Sequence, residues 1–411
     1  MSALSKFLRT MFIRPVGYVK KTPKPPYDVM LSLWNIFRNR EQRKGFENNG
    51  LSVRWIGNHY PPEIGEVSKR SFAWIPFVAF MFSFRIHSEW LKHFSMTLFD
   101  WYSGSRKLNC RLVWAYVEMN TRLLRKAKSK GIPVILDNPI AHMRDYYNTL
   151  KPEYESLGMN FHAPLISKWA TLAEKEYELA DWFNVGSRFV KKTLAAHGVP
   201  ESKIIVNHTG VDVSRWAQAC SNRKFGDRKM TFVSTGYIGV RKGTHYLVKA
   251  WIKANLQNAR LILCGGGSLP WEKICQTPLP ESIIFMGAVN HDKLAEIYAN
   301  SDVYVLPSLL EGFARAGLEA MASGLPLLIT EETGLTDLCD DGKEGWIVPA
   351  KDAGAIAARM QWCMEHPDEV RAAGEAASEK MRHHDFTSYG NQCAEIAKCV
   401  IAGKQPPLEL G

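Results

Sequence analysis

The stretch SDVYVLPSLLEGFARAGLEAMASGLPLLITEETGLTDLCDDGKEGWIVPA, from Ser301 to Ala350, decides how the rest of the chain is read. Val303–Leu306 is a short apolar run of the kind a buried strand shows. Pro307 and Ser308 stop it. Leu318, Met321 and Ala322 then follow at helical spacing, and Gly324 with Pro326 ends that helix. Leu327–Ile329 reads as the next strand. The unit is strand–loop–helix–strand, with Glu311 on the loop and Glu319 inside the helix. A helix N-terminus turns free backbone N–H groups and a positive dipole end toward such a loop. An anion, above all a phosphate, is a natural ligand there.

The same alternation extends in both directions. Upstream, strands are expected at Tyr27–Leu33, Leu51–Ile56, Cys110–Tyr116, Pro133–Leu136, Trp182–Val185 and Ile204–Val206. Helices are expected at Arg38–Asn49, Met119–Lys130 and Phe189–His197, the last with Ser187 as N-cap and Gly198 as its stop. Residues Ala217–Lys229 are polar and lack periodicity, which places a boundary near residue 215. The pattern then restarts with strands at Thr231–Ser234, Arg260–Cys264 and Ile283–Met286. Loops run over Gly236–Gly243 and Gly265–Gly267. Helices Ala353–His366, Glu369–Met381 and Phe386–Ile401 close the chain, and the tail Lys404–Gly411 is expected to be disordered. Alternation twice over argues two doubly wound α/β domains. The division is 1–214 for the first, 215–385 for the second, and 386–411 for a last helix plus tail. In such sheets ligands sit beyond the C-terminal ends of strands.

Composition bounds the partners. With 411 residues, two domains are the prior, and 46% hydrophobic with 23% charged residues fit a globular protein. The eight cysteines form no C-x-x-C motif, so metal and redox work are unsupported and reduced thiols in the cytoplasm are expected. The net charge of +11 admits nucleic acid, an anionic membrane surface or a phosphorylated substrate. Nucleic acid is disfavoured because basic and aromatic residues do not interleave. Ten Lys/Arg against three Asp/Glu crowd residues 1–50. Met1–Lys21 fits either an amphipathic helix on a membrane surface or a basic tail packed on the protein. It has no secretory-signal pattern. The apolar window Phe72–Phe84 is too short to span a bilayer and reads as a core helix, with a membrane-dipping face as the alternative.

A set of short motifs in fixed order carries a family resemblance. They are Thr209-Gly210-Val211-Asp212, Gly236 with Lys242-Gly243, Tyr304-x-Leu-Pro307-Ser308-x-x-Glu311-Gly312-Phe313, Glu319-Ala320-Met321-Ala322-x-Gly324-Leu325-Pro326, and Thr333-Gly334. Together they resemble the retaining glycosyltransferases of family four, densely over about 205–350 and more weakly back to Glu174. The resemblance implies the GT-B fold: two Rossmann-like domains face across a cleft, and the last helix crosses back to the first. It also implies a sugar-nucleotide donor, UDP- or GDP-linked, on the second domain and an acceptor on the first. Retention without a metal or other cofactor is implied as well.

Site roles follow by similarity. Glu311 bonds hydroxyls of the transferred sugar and Glu319 those of the ribose; a carboxylate can accept from two vicinal hydroxyls. Lys242 meets the charge growing on the leaving diphosphate, and Gly236 lets the backbone approach it. The amides of Gly312, Phe313 and Ala314 face sugar and phosphates. His142, after a strand of the first domain, stands where relatives place a histidine near the donor sugar. His208 and His291 read as structural.

Three departures stand out. Tyr237 occupies the place of a common arginine, which Arg241 is expected to replace. Arg315 opposes the dipole in the first helical turn, which fits either a contact with phosphate or acceptor or a solvated arginine. Gly317 inside a helix costs about 1 kcal/mol against alanine and points to close packing or a close ligand.

The expected protein is therefore a cytoplasmic glycosyltransferase, with peripheral contact at the inner membrane face as a further expectation. Its acceptor is a glycan, a lipid-linked glycan or a small molecule. A sugar-nucleotide epimerase or phosphorylase on the same architecture, and a non-catalytic sugar-nucleotide-binding protein, are the alternatives.

Overall fold

The computed structural model describes residues 26–32, 36–56, 89–221, 228–275 and 278–410. The basic start Met1–Lys21, the loop Asn58–Gly65 and the apolar window Phe72–Phe84 lie outside these residues. Among the described residues no helix is long and apolar enough to cross a membrane.

Among the described residues the first sheet has seven strands: β1 (Tyr27–Ser32), β2 (Val53–Ile56), β3 (Cys110–Tyr116), β4 (Val134–Asn138), β5 (Trp182–Val185), β6 (Ile204–Asn207) and β13 (Glu409–Leu410). Their order is β13-β6-β5-β4-β3-β1-β2, and every neighbouring pair is parallel. The second sheet has β7 (Met230–Thr235), β8 (Ala259–Cys264), β9 (Ile283–Gly287), β10 (Val303–Leu306), β11 (Leu327–Thr330) and β12 (Gly345–Val348). Its order is β12-β11-β10-β7-β8-β9, again all parallel. Central strands β4, β10 and β11 are buried along their whole length, as parallel strands covered on both faces must be.

Local signals explain most boundaries. Ser187 Oγ accepts from the Val190 amide and caps helix Arg188–Ala196; Asn290 and Asp385 cap His291–Ala299 and Phe386–Ile401 in the same way. Gly317 is explained by packing: a Cβ there would run into Leu335. Helix Phe386–Ile401 returns to the first sheet, where Tyr389, Cys393, Ile396 and Ala397 join Val29, Leu31, Trp114 and Ile205 in one apolar cluster. Gly45 and Gly390 let it lie against helix Ile36–Asn48, since a Cβ on Gly45 would collide with the Gly390 backbone.

Three differences from the sequence expectations have physical causes. Residues Val213–Ser221 form a helix rather than an aperiodic linker, because Trp216 is buried against Tyr298 at 5.5 Å between ring centres. Gly345–Val348 is a strand, paired with β11 through Leu328 and Trp346. The tail is not disordered: Glu409 and Leu410 pair with Val206 and Asn207, and Arg188 holds Glu409 at 2.8 Å.

Candidate active site

The strand order of the second sheet reverses between β7 and β10, and a crevice opens where neighbouring crossovers leave in opposite directions. Two loops meet there: 236–243 after β7 and 307–314 after β10. Glycines let them touch backbone to backbone. Gly243 has φ +65°, and a Cβ on it would strike the Pro307 carbonyl. The Leu309 amide donates to the Arg241 carbonyl at 2.9 Å. Gly236, at φ +125°, lies under the Lys242 stem, whose Cε would stand 3.1 Å from an added Cβ.

This seam brings Arg241, Lys242 and Glu311 together. Arg241 Nη1 is 2.6 Å and Lys242 Nζ 2.8 Å from Glu311 Oε1. Arg241 Nη1 also donates to the Leu310 carbonyl at 3.1 Å. Glu311 is 8% exposed. Burial pushes its carboxyl up, but Lys242 and Arg241 outweigh burial and hold it below the ordinary value. The site thus keeps a charged carboxylate out of bulk water, pinned by two cations.

Glu311 and Lys242 line a cavity of about 580 Å³. Gly236, Phe313, Ala314, Arg315 and Glu319 line it too, on the second domain. Tyr116 at the end of β3, Pro139, Thr209, and Phe386 with Tyr389 of the returning helix close it from the first-domain side. Burial raises the Glu319 carboxyl against the pull of Arg315 and Arg215; Arg315 Nε is 3.8 Å away.

The two domains are in contact at the rim. Ser187 Oγ donates to the Gly312 carbonyl. His208 stacks on Phe313, with centres 5.0 Å apart and planes at 12°, and its Nε2 is 2.9 Å from Asp337. Glu153 on helix Met143–Ser156 meets His245 at 3.3 Å, Tyr246 at 3.0 Å and Lys351 at 2.8 Å.

The expected site residues do not all arrive. His142 is 2% exposed and lines a separate cavity with Glu174, Tyr177, His197 and Lys203. Its Nδ1 accepts from the Arg144 amide at 3.1 Å and caps helix Met143–Ser156. Its ring stacks on His197 at 3.9 Å, and burial followed by His197 pushes its pKa down to about 4. The Ala314 amide is not free for a ligand, since it donates to the Thr333 carbonyl at 3.2 Å. Arg241 points into the protein at Glu311 and does not line the cavity. Conversely His291, read as structural, lines the cavity while packing edge-on against Trp216. Its position after β9, beyond a strand's C-terminal end, was the available signal. Tyr237 is 58% exposed, outside the cavity. Among the described residues no group of three or more His, Cys, Asp or Glu side chains could hold a metal ion.

Two parallel, doubly wound sheets joined by a returning helix and facing a shared cavity define a protein of the GT-B fold. Sucrose-phosphate synthase from Thermosynechococcus elongatus superposes with a TM-score of 0.65 at 16% identity, covering 92% of this chain and 100% of that one. The Anabaena protein HepE in complex with UDP and glucose superposes with a TM-score of 0.56 at 15% identity, covering 90% and 98%. At these identities the likeness is one of fold. Residues 218–380, within the second domain, match the model of glycosyl transferases group 1. A putative colanic acid biosynthesis glycosyltransferase of Salmonella typhimurium is 32% identical over 180 residues, 41% of this chain and 43% of that protein. The chain spans about half the length of the curated relatives it matches.

Proposed function

We propose that the protein is a glycosyltransferase that moves a sugar from a UDP- or GDP-sugar to a glycan, lipid-linked or small-molecule acceptor, with retention and without a metal. The observation that carries this reading is the buried Glu311 carboxylate, held by Arg241 behind it and by Lys242 beside it, on the wall of a cavity that Lys242 and Glu319 also line. A neutral sugar with many hydroxyls and a charged diphosphate need such a pair of surfaces: acceptors for the first, cations for the second.

In this reading Glu311 holds hydroxyls of the transferred sugar, its charge maintained by the cations behind it. Lys242 takes up negative charge on the departing diphosphate as the glycosidic C–O bond breaks. Glu319 accepts from the ribose hydroxyls. His291 and the turn after β9 face the base. The acceptor enters from the Tyr116 and Pro139 side; its hydroxyl oxygen attacks on the face the leaving group departs from and passes its proton to the departing diphosphate oxygen. The names of relatives that act in colanic acid and amylovoran biosynthesis support a glycan acceptor, and the HepE complex supports UDP as the donor's leaving group.

The test is incubation of the purified chain with UDP- and GDP-sugars, with and without glycan acceptors, in EDTA. Product anomeric configuration is read by NMR. Transfer with retention in EDTA is expected. Inversion, a metal requirement, or acceptor-independent isomerisation of the donor would overturn the corresponding part of the reading.

A further inference from the structure

The cavity wall carries two cationic side chains that are held very differently. Lys242 is 14% exposed and bonded to Glu311 at 2.8 Å. Arg315 is 40% exposed, and its Nε lies 3.8 Å from Glu319, beyond hydrogen-bonding distance. Arg241, the other cation of the cluster, is committed to Glu311 and the Leu310 carbonyl. These three cations face two carboxylates, Glu311 and Glu319, so the site carries positive charge in excess. The excess sits on the loosely held member. Arg315 also opens helix Arg315–Ala322, where a cation opposes the helix dipole.

We propose that Arg315 is a donor-binding residue that closes on the diphosphate of the sugar nucleotide, acting from the helix while Lys242 acts from the loop after β7. The inference rests on the donor reading above. Ribose hydroxyls arriving at Glu319 satisfy that carboxylate. The guanidinium, with no short bond to break, then turns to the phosphates, whose oxygens match its planar fork. Arg315 is thus the mobile half of a two-cation clamp whose fixed half is Lys242.

The test measures calorimetric affinity of the full chain for UDP, GDP, uridine, guanosine and inorganic pyrophosphate, in the wild type, Arg315→Met, Arg315→Lys and Lys242→Ala. Melting temperature serves as a folding control. Arg315→Met is expected to weaken the preferred nucleoside diphosphate by about tenfold, as loss of a charge-assisted contact does. The matching nucleoside should be unchanged, with Arg315→Lys falling between. Diphosphate affinity equal to wild type in Arg315→Met overturns the inference. Nucleoside affinity falling in step with the diphosphate also overturns it, because Arg315 would then act only through Glu319. If Lys242→Ala loses the diphosphate and Arg315→Met does not, the donor reading stands and this inference alone fails. If the wild type binds no nucleoside diphosphate, both fail together.

Discussion

Gly312 and Pro139 touch across the cleft: a Cβ on Gly312 would collide with the Pro139 carbonyl, and Ile140 Cα lies 3.0 Å from the same point. The loop bearing Glu311 is therefore seated directly on the backbone that follows β4. Gly312→Ala must push the two apart, and overpacking of this kind costs about 1–3 kcal/mol. We expect a melting temperature several degrees lower and a clear loss of transfer. Gly266→Ala is the control, since a Cβ there meets nothing within 4 Å. Equal behaviour of the two variants by calorimetry and turnover would show that the contact does not matter.

Glu311→Ala leaves Arg241 and Lys242 facing each other without their shared counter-charge. The cations left behind are partly exposed, so losing their bonds to the carboxylate costs roughly 1–3 kcal/mol. Denaturant titration should show that loss. Transfer should fall by about a hundredfold or more, while the nucleoside still binds. Turnover at the wild-type rate would remove Glu311 from the site.

Lys242→Ala should weaken binding of nucleoside diphosphate by about tenfold and leave the nucleoside unaffected. Titration calorimetry with the two ligands separates them. Equal weakening of both would contradict the diphosphate assignment.

His142→Ala should act on stability rather than chemistry. Loss of an N-cap costs about 1 kcal/mol, and removing a ring stacked on His197 adds to it. With its pKa pushed down to about 4 by burial and His197, His142 is neutral at pH 7. The transfer rate should therefore show no titration near pH 6.5 that disappears in His142→Ala. Such a titration would return the residue to the reaction.

Glu153 makes the domain contact acid-labile. Burial raises its carboxyl, but bonds to His245 and Lys351 outweigh burial and bring the pKa down from 4.5 to about 2. A depressed carboxyl stabilises the fold fully above its unfolded pKa. That contribution fades as pH falls from about 4.5 to about 2. It is on the order of 3 kcal/mol. Wild type and Glu153→Gln should differ at pH 7 and converge toward pH 2 in urea titrations. A constant difference would rule the linkage out.

Several features could be read from residues in sequence. Val303–Leu306 and Leu327–Thr330 are apolar runs bounded by Pro, Ser and Gly, and such runs become strands because backbone and side-chain preferences act over a few residues. Ser187 is a cap whatever surrounds it. Short elements escaped this reading. Gly345–Val348 is strand-like only beside β11, and Glu409–Leu410 only beside β6. Trp216 turns an aperiodic segment into a helix by packing on Tyr298.

By itself, then, the sequence determined the alternation of strand and helix, the glycines at the turns and the presence of Glu311, Glu319 and Lys242 on segments that follow strands. Only the tertiary structure decided which of these meet. Strand order sets β7 beside β10, and that alone brings Arg241 onto Glu311, seventy positions further along the chain, and turns it away from the cavity. The packing of helix Arg188–Ala196 draws His142 against His197 and out of the cleft. Local chemistry acts over a few residues. The charge state and direction of a side chain depend on neighbours that folding supplies from distant parts of the chain.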